Sequence, residues 1–157
     1  MSVSFPPEKQ KKLSLKELES YLWKSLDIFR PAIRISECKE CLLGILSLKF
    51  LSDTFEEAQE NLRNSLDLKG KSPKEINLFI EDPSNYSNIF FIPKNSRWNE
   101  IRNSLTVITN IGLFLNKLTQ SIEDQNPVLS GVLSSINFDI NNKKINQTFK
   151  ELIDYFS

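Results

Sequence analysis

The run Cys41-Leu42-Leu43-Gly44-Ile45-Leu46-Ser47-Leu48-Lys49-Phe50-Leu51 constrains this chain more than any other stretch. Coiled into a helix it is apolar nearly all round, and such a helix is wrapped by other helices at the centre of a domain. It is too short to cross a bilayer, which takes about 20 apolar residues. The chain contains no run of 18 uninterrupted apolar residues, so no membrane span is expected. The segment therefore predicts an all-α fold built around one central helix. At 157 residues the chain has the length for one such domain.

The same helix continues into an amphipathic half. Phe55, Ala58 and Leu62 share one face, while Glu56, Glu57, Glu60 and Arg63 face water. It is expected to start after Ser36 and to fade before Gly70, a natural stop. An earlier helix is expected from Ser14, where Ser14-Leu15-Lys16-Glu17 is a capping box. Leu15, Leu18, Leu22, Leu26 and Phe29 form its stripe, and Arg30-Pro31 ends it. Residues 1–13 are polar, carry Pro6-Pro7 and read as a disordered leader. Residues 14–157 read as a single helical domain.

Ser72-Pro73-Lys74-Glu75 predicts a short helix to about Ile80. Asp82-Pro83-Ser84-Asn85 is a turn. Ile89-Phe90-Phe91-Ile92-Pro93 is expected to be one short extended aromatic strap with no partner strand. Ser96 is expected to cap a short helix carrying Arg97, Trp98 and Ile101. Asn110 opens a longer helix with the stripe Ile111, Leu115, Leu118 and Ile122, stopped by Asn126-Pro127. A loop with the apolar cluster Val132, Leu133, Ile136 and Phe138 precedes a last helix carrying Ile145, Phe149, Leu152 and Phe156. The expected architecture is an irregular bundle of about five or six helices.

The chemistry available is narrow. Histidine is absent, which removes the commonest general base and metal ligand. Cys38 and Cys41 form a lone C-x-x-C, with no second pair to complete a zinc site and no βαβ setting for a redox pair. They are expected to be buried or interface cysteines. Asn126-Pro127-Val128-Leu129 lacks the second proline and the aromatic of the adenine-methyltransferase Asn-Pro-Pro-aromatic motif, and it follows a helix rather than a strand. The glycines Gly44, Gly70, Gly112 and Gly131 stand apart, so there is no phosphate or dinucleotide loop. Glu56, Glu57 and Glu60 read as a solvated face. Trp98 with Phe90-Phe91 reads as core rather than a base-stacking platform.

Formal charge is zero over the whole chain but uneven along it. Residues 1–50 hold nine basic and six acidic groups, and residues 51–82 hold four and eight. Arg30, Arg34 and Lys39 gather around the turn between the first two helices, and they are the candidate phosphate contacts.

Four blocks follow one another in a telling order. They are Leu22-Trp23-Lys24; Ser36-Glu37-Cys38-Lys39 running into Leu43 through Glu57; Asn88-Ile89-Phe90-Phe91-Ile92-Pro93 with Arg97-Trp98; and Ile122 through Leu133, with Leu152-Ile153-Asp154 closing the chain. In this order they resemble the N-terminal helical domain of the modification (M) subunit of type I restriction–modification systems, over roughly residues 14–157. Cys38 stands where that family usually has an aromatic.

The resemblance implies a parent DNA methyltransferase that transfers a methyl group from S-adenosylmethionine to adenine. It implies assembly with a specificity (S) subunit, a second M subunit and a restriction (R) subunit, and DNA binding through that complex. The catalytic methyltransferase domain is expected to lie outside this chain, which would hold no cofactor, no metal and no activity by itself. The expected role is assembly and DNA clamping in the cytoplasm, with no membrane contact. Two rival readings are a stand-alone helical interaction or regulatory module and a small enzyme using the cysteines.

Overall fold

In the computed structural model, residues 35–140 and 144–157 are described, together with positions 16, 20, 23, 24, 27 and 28. The predicted first helix, its cap Ser14, and the arginines Arg30 and Arg34 lie otherwise outside the described residues, as do residues 1–13. The described positions between 16 and 28 are helical, and Ile28 packs against the main core.

The long helix α1 spans Ile35–Leu68. Cys41, Leu42, Ile45, Leu48, Ser52, Phe55 and Gln59 recur at spacings of one, three and four, which puts them on one face, and all are buried. That face is the floor of the molecule's core. The wrapping is not complete, however. Leu43 is 61% exposed and Phe50 69% exposed, on the side of α1 opposite the core. The near-uniform apolarity of this run thus serves two faces, one buried and one bare.

Helix α1 stops where Gly70 adopts a φ of 75°, a left-handed conformation that costs glycine least. There the Gly70 and Lys71 amides donate to the carbonyls of Asp67 and Leu66 at 2.9 and 3.3 Å. Helix α2, Pro73–Ile80, starts on the predicted capping box, with Ser72 and Glu75 each satisfying the other's backbone N–H. Its Ile76 and Ile80 make a small second core with Leu66.

The strap from Ile89 to Pro93 forms no ladder, and no strand occurs among the described residues. Phe91 and Ile92 enter the core while Phe90 stays partly exposed. Helix α3, Trp98–Ser104, follows directly. Ser96 is not its cap: it ends a 3-10 turn, Lys94–Ser96, and its hydroxyl lies by the Leu118 carbonyl.

Helices α4, Ile111–Gln125, and α5, Ile145–Tyr155, close the bundle. Asn110 caps α4 by accepting the Leu113 amide, and the predicted stripe Ile111, Leu115, Leu118, Ile122 is buried throughout. In the loop between them Leu133 and Phe138 are core, Ile136 packs against it, and Val132 points outward. The architecture is all-α, arranged around α1.

Candidate functional site

The polar side chains of the quoted blocks converge on the strap and its flanks. Arg97 precedes α3 and turns inward. Its guanidinium donates to both carboxylate oxygens of Glu81, at 2.9 and 2.7 Å, and its Nε donates to the Ile92 carbonyl at 3.1 Å. Its plane lies over the Phe55 ring, 4.8 Å from the centroid. This is the bidentate, stacked geometry that only arginine offers. The Arg97 hydrogen bonds hold the Glu81 carboxyl below the usual carboxylate range. Gln59 of α1 joins the same knot, donating to the Ile80 carbonyl and to Glu81.

Three more joints surround it. Buried Ser52 of α1 accepts the Trp98 amide at 2.7 Å, so the first N–H of α3 is capped by a side chain from another helix. Asn126, just past α4, pairs with the strap backbone: it accepts the Phe91 amide at 3.0 Å and donates to the Phe91 carbonyl at 2.8 Å. Glu123 of α4 is 5% exposed and accepts the Ser134 amide at 2.7 Å. Burial raises its pKa, but the amides of Ser134, Gly131 and Leu133 and the Ser134 hydroxyl outweigh burial and hold the carboxyl below its ordinary range. The backbone nest of this loop, a ready anion site, is therefore filled by the protein's own carboxylate.

Sequence reasoning singled out none of Ser52, Glu123 and Asn126 as joints. A signal exists for Glu123, a carboxylate one residue from Ile122 and four from Thr119, on the edge of the buried stripe. Asn126 appeared only as a helix stop, and its side chain does the further work of tying α4 to the strap.

Beside these joints lies a groove of about 340 Å³ lined by Leu46, Ser47, Phe50 and Leu51 of α1 and by Leu129 and Leu133 of the loop. Exposed Leu43 continues its floor one turn earlier, and exposed Val128 and Val132 flank its loop wall in sequence. A second, larger hollow of about 790 Å³ runs along α2, lined by Lys74, Asn77, Leu78, Glu81, Asp82 and Pro83. Its carboxylates are already engaged, Glu81 by Arg97 and Asp82 by Ser84.

Of the predicted phosphate contacts, Lys39 is exposed near the start of α1, while Arg30 and Arg34 lie outside the described residues. Cys41 is buried in the core; the side chain of Cys38 lies outside the described residues. Glu57 and Glu60 are exposed as expected, but Glu56 is half-buried, and burial, then Asp53, raises its pKa. Phe91 and Trp98 are core, as read from the sequence, but Phe90, read with them, is 39% exposed: on the extended strap it points away from its neighbour Phe91. Among the described residues no cluster of acidic or cysteine side chains suits a metal, and no helix is long and apolar enough to cross a membrane.

Compared with known families, residues 18–156 match the HsdM N-terminal domain. The chain belongs to the HsdM N-terminal domain family. It is also similar to the type I restriction enzyme MjaIX methylase subunit of Methanocaldococcus jannaschii, at 25% identity over 118 residues, covering 71% of this chain. The chain spans about a fifth of that relative's length. In this HsdM N-terminal domain the quoted blocks supply one side of each joint just described: Leu43 through Glu57 holds Ser52, the strap with Arg97-Trp98 holds Phe91 and Arg97, and Ile122 through Leu133 holds Glu123 and Asn126. The resemblance read from their order is thus the family itself.

Among the described residues the four glycines form no loop that would cradle S-adenosylmethionine. Gly44 and Gly112 are packed against Phe138, the Gly131 amide is spent on Glu123, and Gly70 ends α1. No step through the cofactor is assigned to this chain.

Proposed function

We propose that this chain works as the N-terminal helical domain of a type I M subunit, with residues 14–157 as one domain that helps the enzyme assemble and clamp DNA. The observation that carries this reading is the family match over residues 18–156, with a methylase subunit among the relatives. The chemistry described supports it: the polar groups of the quoted blocks hold the bundle's shape rather than stand ready to react. Methyl transfer from S-adenosylmethionine to adenine then belongs to the remainder of the enzyme. The partners are an S subunit, a second M subunit, an R subunit and DNA, in the cytoplasm. Arg30, Arg34 and Lys39 touch the DNA backbone, and base sequence is read elsewhere.

The test is co-purification. The tagged chain, expressed with the S subunit and the methyltransferase core, is expected to retain both, and adenine methylation by the mixture should depend on it. If the chain elutes alone and methylation proceeds equally without it, a stand-alone helical module is the better description.

A further inference from the structure

Helix α2 stands apart from the main bundle. Among the described residues its Ile76 and Ile80 share a small core with Leu66 and Leu62, separate from the main one. It packs mainly on α1 and on the 3-10 turn Pro83–Asn85. Its outer side, with Leu78 and Phe79, is exposed. An isolated helix of 8 residues does not persist in water, and so little apolar burial is weak compensation for ordering it. Both of its ends are turns: Gly70, with its φ of 75°, precedes it, and Asp82-Pro83 follows it.

What fastens α2 to the main bundle is polar and gathered at one end. Gln59 and Tyr86 donate to the Ile80 carbonyl at 3.2 and 2.7 Å, and Arg97 grips the Glu81 carboxylate with two hydrogen bonds. We propose that residues 71–82 form a flap, hinged at Gly70 and Pro83, which opens as a unit while the main bundle stays folded, and that the Glu81–Arg97 pair is its latch. The two sides of the latch are unequal. Arg97 is fixed to the core by the Phe55 ring and the Ile92 carbonyl, so it stays behind when the flap lifts. The Glu81 side chain is 42% exposed and passes into water at little cost. A guanidinium left in the core without its counter-charge is costly, and that cost draws the flap shut. Opening bares Arg97 on its aromatic floor.

Flap opening is read on the chain by itself, so its failure leaves the proposed function standing. Native-state hydrogen exchange should show the amides of Asn77 to Ile80 exchanging at least ~100-fold faster than those of Leu115 and Leu118 in α4. Dilute urea should hardly change the flap rates, since lifting the flap exposes little surface. Glu81→Gln should speed flap exchange about 10- to 100-fold, the value of a hydrogen bond to a charged group, and leave α4 unchanged. Added salt should speed the flap in the parent protein more than in Glu81→Gln. Flap and α4 amides that exchange at one rate with one urea dependence overturn the proposal. So does a Glu81→Gln variant whose flap keeps the parental rate or whose α4 speeds up equally, and so does salt that acts alike on both proteins.

Discussion

Glu123 shows how a single residue fixes a loop. A carboxylate this buried is tolerable only if its charge is met by donors, and the 131–134 backbone meets it. Because the folded-state pKa is depressed, its stabilisation is present above the unfolded carboxylate range and is lost as pH falls through the folded value. Glu123→Gln is therefore expected to cost about 1–3 kcal/mol at neutral pH. Urea unfolding at pH 7 and again in acid should show the gap between variant and parent closing as Glu123 itself protonates. A gap that persists unchanged in acid would mean shape, not charge, is what matters there. Phe138 shows the same specificity from the apolar side. It sits in two notches, one made by Gly44 of α1 and one by Gly112 of α4. A methyl at Gly112 would meet backbone, the Phe138 carbonyl carbon at 2.8 Å, whereas a methyl at Gly44 would meet side chains, the Phe138 ring and Ile136. Gly112→Ala should thus destabilise by about 1–3 kcal/mol. Gly44→Ala should cost less, because side chains can give where the Phe138–Asp139 backbone cannot; alanine's better helix propensity, about 1 kcal/mol, offsets part of the clash at either helical position. Thermal melts of the two variants rank them directly.

At the scale of elements, α3 is the one that tertiary structure makes. It is 7 residues long, lacks a side-chain cap of its own and receives one from Ser52 on α1. An isolated helix of this length does not persist in water. Ser52→Ala leaves a buried amide unsatisfied and should cost about 1–3 kcal/mol in chemical denaturation. Ser72→Ala, at the exposed and local cap of α2, should cost nearer ~1 kcal/mol; equal costs would deny Ser52 its bridging role. The contrast also explains which elements the sequence exposes to a reader. Helices α2 and α4 carry their own start signals, Ser72-Pro73 with Glu75 and Asn110, and both begin where those signals say. Ser96 misled for the opposite reason: it has the right residue type one step early, and the cap it suggests comes from 46 residues away. The exposed Leu43 and Phe50 were hidden by the same run that revealed the core, since a helix apolar on every side does not say which side stays uncovered.

Over the whole molecule, the order of the blocks identified the family while their chemistry stayed silent, because in this chain their polar groups form long-range joints. Arg97 with Glu81, Ser52 with Trp98 and Asn126 with Phe91 are 16, 46 and 35 residues apart, and no local pattern encodes such pairings. A DNA-contacting surface leaves a different trace, a charge excess, and the first 50 residues carry it. The proposed contacts are phosphate contacts, so their signature is salt dependence rather than sequence preference. Arg30→Ala combined with Arg34→Ala should weaken DNA binding by the assembled methyltransferase about equally on target and random DNA. It should also flatten the plot of log affinity against log salt by about 2, one phosphate for each arginine lost. Titrations at several salt concentrations decide the matter. An unchanged slope would place the clamp on another surface of the bundle, and a loss confined to the target sequence would make these arginines base readers instead.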